Sequence, residues 1–226
     1  MSALSLQALL PSLDPLLIAG LCGIFVFAGI VKGFLGIGLP AAAMGLLTLI
    51  ISPTEAISLL WLPILFSNLF QFGRARNKRE IMVTYRWFAA ALFFSIFLTS
   101  LFINDYPTAL LTVAIGVAMV VFSLNLLFGL SLPVGPGRGW QIGVGVVSGV
   151  LGGLSSIWSP PVAMYLMARN APKDVFIAAT GFLFLAGCLP LGAGLFISGL
   201  ITGPVIVKSL LGLLMTLIGF RIGEIM

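Results

Sequence analysis

The residue best suited to chemistry is Lys32, a single lysine inside the apolar run Gly29 to Pro40, GIVKGFLGIGLP. A lysine in the middle of a membrane segment costs about 2.5 to 3.5 kcal/mol, so such residues usually face a cavity or a partner. An ammonium that faces a cavity attracts anions. Lys32 is therefore predicted to bind an anionic substrate. The alternative is that the segment ends earlier and Lys32 extends to the membrane surface.

The glycines that follow Lys32 form a second candidate for anion binding. The run has a partner in the second half of the chain, Gly145 to Pro161, GVVSGVLGGLSSIWSPP. Glycines at a turn permit unusual dihedrals and leave N–H groups open, and a helix that resumes after them presents its positive end to an anion. The residues predicted to bind substrate in this way are Gly33, Gly36, Gly38 and Pro40 in the first copy and Gly152, Gly153 and Pro160 in the second.

Two glycine pairs in the same runs favour helix packing instead. Gly29 with Gly33, and Gly145 with Gly149, have the GxxxG spacing that lets neighbouring helices approach closely. Packing is the preferred interpretation of these pairs.

Polar side chains near the two glycine runs complete the predicted site. The second run carries an insertion rich in serine, whose hydroxyl groups are donors unless they bond their own backbone. Asn68 is the deepest amide in the following apolar segment, and its counterpart in the second copy is Gly187, so the site is predicted to be asymmetric. The side chains added to the substrate-binding set are Asn68, Gln71, Ser155, Ser156, Trp158, Ser159 and Thr180.

The composition is that of an integral membrane protein. Of 226 residues, 60% are hydrophobic and 8% are charged, whereas soluble domains are typically about 25% charged. The chain has no histidine, and its two cysteines are far apart in sequence, so no metal and no cofactor is predicted. The net charge is +5, but the basic residues do not form a face, and several of them gather in one short loop, which argues against nucleic acid and indicates membrane topology.

The lengths of the apolar segments predict an all-helical fold with two kinds of helix. About 20 residues are needed to cross the bilayer. Second limbs at about 40–51 and 160–167 are too short, so each pairs with a first limb, about 16–34 or 140–153, as a re-entrant hairpin. Their tips are expected to be interior, because bare backbone groups are costly in lipid. Five full spans are predicted at about 56–72, 87–103, 109–130, 175–197 and 204–222.

The basic loops set the predicted orientation. The five basic residues between Arg74 and Arg86 place their loop in the cytoplasm, and the loops with Arg138 and with Arg169 follow it there. The C-terminus is then cytoplasmic and the N-terminus, which lacks the features of a signal peptide and is expected to be retained, lies outside.

These elements predict one transmembrane transporter domain over residues 1–226, built from two inverted repeats. Repeat one covers about 14–103, the connecting helix about 107–130, and repeat two about 139–224, and each repeat has a broken hairpin and two spanning helices. Inverted repeats with broken helices are typical of secondary transporters.

The chain resembles the sulfite exporter TauE/SafE family of bacterial membrane transporters. The resemblance covers nearly the whole chain: two hydrophobic repeats, each opening with a glycine-rich segment such as GFLGIGLP or GVLGGLSS, and a basic loop. It implies transport of sulfur-containing anions such as sulfite or organosulfonates. The inserted residues Ser155 to Trp158 depart from a simple glycine run and bear on the choice of substrate.

The predicted function is secondary transport of a small sulfur-containing anion across the bacterial cytoplasmic membrane by alternating access. The expected partners are the anion and the lipid bilayer, and a homodimer is left open. A passive anion channel and a non-transporting subunit of a sulfur-metabolism complex are the alternatives. An enzyme is not expected, because no nucleophile is accompanied by a base. Glu55 and Asp174 occupy matched positions, but each follows a proline at a helix start, which favours capping over proton coupling.

Overall fold

The computed structural model describes residues 15–129, 134–135 and 137–226, and these residues form ten helices and no strand. The predicted all-helical class is confirmed. The predictions for residues 1–14 and for the end of the connecting helix at 130 lie outside the described residues. The helices are α1 (Pro15–Leu35), α2 (Leu39–Leu47), α3 (Pro53–Gly73), α4 (Lys78–Thr84), α5 (Arg86–Leu101), α6 (Thr108–Phe128), α7 (Arg138–Ser155), α8 (Ser159–Ala168), α9 (Lys173–Ile197) and α10 (Gly203–Ile225).

Prolines and short polar caps begin several helices where the sequence predicts. Proline lies in the first turn of α2, α3, α8 and α10, where its missing N–H would have no helical partner. Ser52 caps α3 by accepting a bond from the Glu55 N–H at 3.3 Å. Glu55 itself forms an ion pair with Lys208 of α10 at 3.0 Å. Glu55 thus has a structural role at the start of α3.

The set of helices long enough to cross the membrane differs from the prediction in two members. Five described helices qualify by length and composition: α1, α3, α6, α9 and α10. Helix α1 was predicted to be one limb of a hairpin, but its 21 residues reach about 31 Å at 1.5 Å per residue. Helix α5 has 16 residues and qualifies only together with α4, from which it is bent by 69°. The bend arises because Tyr85 interrupts the helix.

Glycine-lined contacts hold the long helices together. Gly29 and Gly33 of α1 lie against the backbone of α10 at Gly219 and Gly223, and a Cβ at any of the four would collide with the opposite main chain. The preferred interpretation of the first GxxxG pair, helix packing, is confirmed.

The second GxxxG pair packs in the same way on a different helix. Gly145 and Gly149 of α7 lie against the backbone of α5 at Phe88 and Leu92. Helices α3 and α9 pack on each other, α10 also packs on α3, and α5 also packs on α9. The first helix of each half therefore packs on the last helix of the other half.

Both breaks between a long and a short helix are buried, as predicted for the hairpin tips. The first break contains Gly36 and Gly38, whose φ angles are +77° and +98°. The second break was predicted at Gly152 and Gly153, and this prediction is wrong, because both glycines lie inside α7. The serine-rich insertion extends α7 to Ser155, and Ser156 adopts the left-handed conformation with φ of +59°.

Candidate functional site

Lys32 lies in the interior of the protein, 1% exposed, near the end of α1. Its Nζ donates a hydrogen bond to Oδ1 of Asn68 on α3, and Asn68 Nδ2 donates to the Ile64 carbonyl at 2.7 Å. The structure therefore brings the predicted lysine and the predicted amide together. These two hydrogen bonds fix the orientation of the Asn68 amide. Its nitrogen bonds the backbone of α3, and its oxygen accepts from Lys32.

The carboxylates of the described chain lie elsewhere. Glu55 pairs with Lys208, and Glu224 pairs with Arg74 and Arg221. Glu80, Asp105 and Asp174 are exposed. Among the described residues, Lys32 has no salt-bridge partner, so the amine is buried beside a neutral amide and the face of the Phe184 ring, whose centroid is 5.9 Å from Nζ. A buried amine in such surroundings has no internal counter-charge and is free to pair with an anion supplied from outside the protein.

One turn of α9, from Phe184 to Cys188, connects Lys32 with the second break of the chain. The Trp158 ring packs edge-on against Phe184, with centroids 6.0 Å apart, and its six-membered ring lies against Gly187. Cys188, the next residue, is buried one turn beyond Phe184 on the same face of α9. Lys32 and Trp158 thus approach the same turn of α9 from the two breaks.

The second break carries buried donors that have no hydrogen-bond partner in the described structure. They are Ser156 Oγ, Trp158 Nε1 and Ser159 Oγ, and each residue is at most 1% exposed. Ser155 differs, because its hydroxyl donates to the Leu151 carbonyl at 2.6 Å and accepts from the Ile157 N–H at 3.0 Å. Buried polar groups are rarely left unpaired, so these three donors are available to a polar ligand.

Backbone donors accompany both breaks. Gly38 precedes α2 without a side-chain cap, and Trp158 precedes α8 in the same way. The first N–H groups of a helix have no intrahelical partner. Pro40 removes one of them from α2, and Pro160 and Pro161 remove two from α8. The remaining N–H groups are buried with the breaks, where the positive ends of α2 and α8 favour an anion.

Gln71 lies one turn nearer the C-terminal end of α3 than Asn68, and it contacts Thr180 of α9. Gln71 Nε2 donates to the Ile177 carbonyl at 2.9 Å and to Thr180 Oγ1 at 3.1 Å, which ties α3 to α9. Gln71 also lines the inner end of an open cavity of about 460 Å³, whose rim includes Arg74, Arg76 and Asp174. We call this cavity the vestibule. Its charged rim consists of two cations and one anion.

Three of the predicted site residues serve packing. Gly33 faces α10, and Gly153 faces Thr99 and the Ile96 carbonyl of α5. Gly152 makes room for the Trp158 ring, because a Cβ there would lie 2.8 Å from a carbon of the indole. The missing side chains of these glycines allow the helices and the Trp158 ring to pack closely near Lys32. The roles of these glycines as direct ligands remain predictions.

The sequence reasoning did not include Ser148 of α7. In the alignment of the two glycine runs, Ser148 occupies the position of Lys32, and its hydroxyl is fully buried and unpaired in the described structure. The duplication would have identified Ser148, because aligning Gly29 with Gly145 places Ser148 at the position of Lys32. A neutral serine is less unusual in an apolar run than a charged lysine, so it was not selected as a candidate.

Comparison with known proteins adds one finding. The model of the family described as Sulfite exporter TauE/SafE matches residues 21–226. No curated protein and no solved structure matches the chain. The family match includes both breaks, Lys32 and every other predicted site residue.

Proposed function

Because the chain belongs to the sulfite exporter TauE/SafE family, we propose that it is a secondary transporter of small sulfur-containing anions, of the sulfite or organosulfonate class. In this proposal it works by alternating access in the bacterial cytoplasmic membrane. Members of the family are membrane transporters, and five apolar helices of the described chain are long enough to span a bilayer. The anion class, the mechanism and the orientation are the parts that we propose.

The observation that carries the proposal is the buried, unmatched amine of Lys32. A protein that only needed a stable core would place an apolar residue there, because removing a charge from water costs several kcal/mol unless a partner compensates. Asn68 supplies one neutral acceptor. An oxyanion at the same place would supply a full counter-charge and further acceptor oxygens.

The second half of the chain supplies donors suited to those oxygens. A tetrahedral or pyramidal sulfur oxyanion presents at least three acceptor oxygens, and an ammonium satisfies only part of them. The hydroxyls of Ser156 and Ser159 and the indole N–H of Trp158 are donors without a described partner. We propose that these groups and Lys32 bind one anion beside Phe184.

The first helix of each half packs on the last helix of the other half, and this packing supports two inverted repeats and an alternating-access mechanism. Helix α1 packs on α10 while α7 packs on α5, and α3 packs on α9 at the centre. This is the pattern expected if 15–101 and 138–225 are related by a pseudo-twofold axis, with α6 as the connecting helix. Repeats of this kind can rock against each other around a fixed site.

The vestibule supports an access path from the side of the basic loop. It leads inward from Arg74 and Arg76 to Gln71, and Asn68 lies one turn deeper on the same helix. We propose that this side is cytoplasmic, because cytoplasmic loops are enriched in arginine and lysine. The C-terminus is then cytoplasmic as well. We propose that the hydrogen bonds of Gln71 to α9 close the path between the vestibule and Lys32.

The test compares Lys32→Ala with Lys208→Ala in proteoliposomes. Flux of sulfite, thiosulfate, methanesulfonate and acetate is measured, with thermal stabilisation by each anion in detergent. Lys208 is the matched control, since it is a partly buried lysine paired with Glu55. We expect at least a tenfold loss of sulfur-anion flux for Lys32→Ala only, with a melting temperature no lower than that of the unmodified protein.

Equal flux in Lys32→Ala and the unmodified protein, at limiting and at saturating anion, would remove Lys32 from the site. Absence of flux and stabilisation with every sulfur anion would contradict the proposed function. Flux that does not saturate would indicate a channel instead of a carrier.

A further inference from the structure

We propose that Lys32 binds a proton together with the anion, so that the protein moves the two as a pair. This inference rests on the proposed transport function and names the coupling ion for that same site. It starts from the burial of Lys32 and from the identity of the groups that surround its amine.

The described contacts of the Lys32 amine are the Asn68 amide of α3 and the Phe184 ring of α9. Cys188 lies one turn beyond Phe184 on the same face of α9, and it is the titratable residue of that helix nearest to Phe184 in sequence. Helices α2 and α6 carry no titratable residue. Helix α10, which packs on α1, has its charged residues in ion pairs with Glu55, Arg74 and Glu224. No described carboxylate is therefore available to neutralise the amine.

An empty carrier has to pass between its two conformations with this amine buried. An ammonium without a counter-ion is strongly disfavoured in such a place, whereas a neutral amine still donates to Asn68 and needs no counter-charge. When an anion binds, the ammonium becomes more favourable than the neutral amine, because its charge is then paired. The anion favours the proton, and by linkage the proton favours the anion to the same extent.

The acidic residues that the structure describes do not offer another place for the proton beside Lys32. Glu55 is paired with Lys208 at the start of α3, and Asp174 lies on the rim of the vestibule. Both are outside the contacts of Lys32. The proton is taken up from water on the loading side by the neutral amine, and it is released when the anion leaves on the other side.

Coupling of this kind changes which force drives transport. A monoanion and one proton cross with no net charge, so the membrane potential does not act on them. A dianion and one proton retain one negative charge, and an inside-negative potential then favours export by about 2.3 kcal/mol per 100 mV. Sulfite at its two protonation levels and monoanionic sulfonates would therefore respond differently to voltage.

The experiment is calorimetric titration of the purified protein with methanesulfonate, which stays ionised and carries no titratable proton near neutral pH. Titrations in two buffers of different ionisation enthalpy give the number of protons taken up per anion bound. We expect uptake approaching one proton at alkaline pH, and a Kd that rises about tenfold per pH unit there. Cys188→Ala should keep the proton uptake. Lys32→Arg, whose side chain stays charged, should bind without it.

The outcomes separate the two proposals. Methanesulfonate binding by the unmodified protein without proton uptake between pH 6 and pH 10 overturns proton coupling and leaves the transport function standing. Loss of the uptake in Cys188→Ala also overturns it, since the thiol would then be the proton site. Failure to bind any sulfur anion at pH 6 contradicts the proposed function and, with it, the coupling. The measurement on the unmodified protein decides the question even if Lys32→Arg does not fold.

Discussion

At the scale of single residues, the informative feature is the pairing of Lys32 with an amide instead of a carboxylate. Asn68 orients the amine and supplies no counter-charge for its protonated form. Asn68→Asp would place a permanent carboxylate against the lysine within a side chain of nearly the same shape. We expect anion affinity to fall at least tenfold, because the substrate then has to displace an internal partner, while thermal stability rises or stays unchanged.

Asn68→Leu is the matched control for that prediction, since it removes the amide without adding charge. Affinity for the sulfur anion should fall less than in Asn68→Asp, because the lysine still needs a counter-charge. The measurement is stabilisation or calorimetric binding of the same anion across the three proteins. Equal affinity in Asn68→Asp and the unmodified protein would mean that Lys32 does not bind the substrate.

At the scale of helices, the backbone contacts between α1 and α10 should be sensitive to a single added side chain. Gly29→Val inserts a branched side chain against the Thr216 carbonyl and the Phe220 amide of α10, which cannot move independently. Forcing extra volume into a packed contact costs about 1 to 3 kcal/mol. We expect a clear fall in melting temperature and in flux.

Gly23→Val is the control on the same helix, because a Cβ at Gly23 meets no other atom within 4 Å. It should retain the melting temperature within a few degrees. The second half offers an equivalent comparison, Gly149→Val at the contact with α5 against Gly143→Val in open space. Similar stability of the contact variant and its control in both halves would contradict the packing role of these glycines.

The helices themselves were largely predictable, because glycine and proline mark their ends. The observed limits of α3, α9 and α10 lie within a few residues of the predicted spans. The position of the second break was not predictable by the same rule, since Ser156 adopts a conformation that glycine usually supplies. Lys32 and Asn68 were each predicted as site residues. Their hydrogen bond depends on how α1 and α3 pack, which local sequence does not determine.

At the scale of the whole molecule, the charged ends of the helices should set one orientation in the membrane. Asn77 lies beside the cluster of basic residues, and Asp105 lies in the exposed turn between α5 and α6. In a protein without Cys22 and Cys188, a cysteine at Asn77 should react with an impermeant maleimide only in opened cells. A cysteine at Asp105 should react in intact cells. The opposite labelling pattern would reverse the proposed orientation.

The proposed alternating access requires a motion that exposes Lys32 to one side of the membrane at a time. Lys32 is buried while the vestibule is open, so in the proposed mechanism loading from the vestibule needs α3 and α9 to separate around Gln71. Ala75 and Ala178 line the vestibule, one just beyond the end of α3 and the other on α9. Cysteines at both positions, joined by a short cleavable dimaleimide, would hold these walls at one separation.

We expect the joined protein to lose counterflow, which is the accelerated uptake of labelled anion into liposomes preloaded with unlabelled anion. Cleavage of the reagent should restore it, and each single-cysteine variant treated in the same way should retain it. Counterflow is a property of a carrier whose site faces one side at a time, and an open pore does not show it. Undiminished counterflow in fully joined protein would show that the vestibule walls do not move during transport, and the path to Lys32 would then have to open elsewhere.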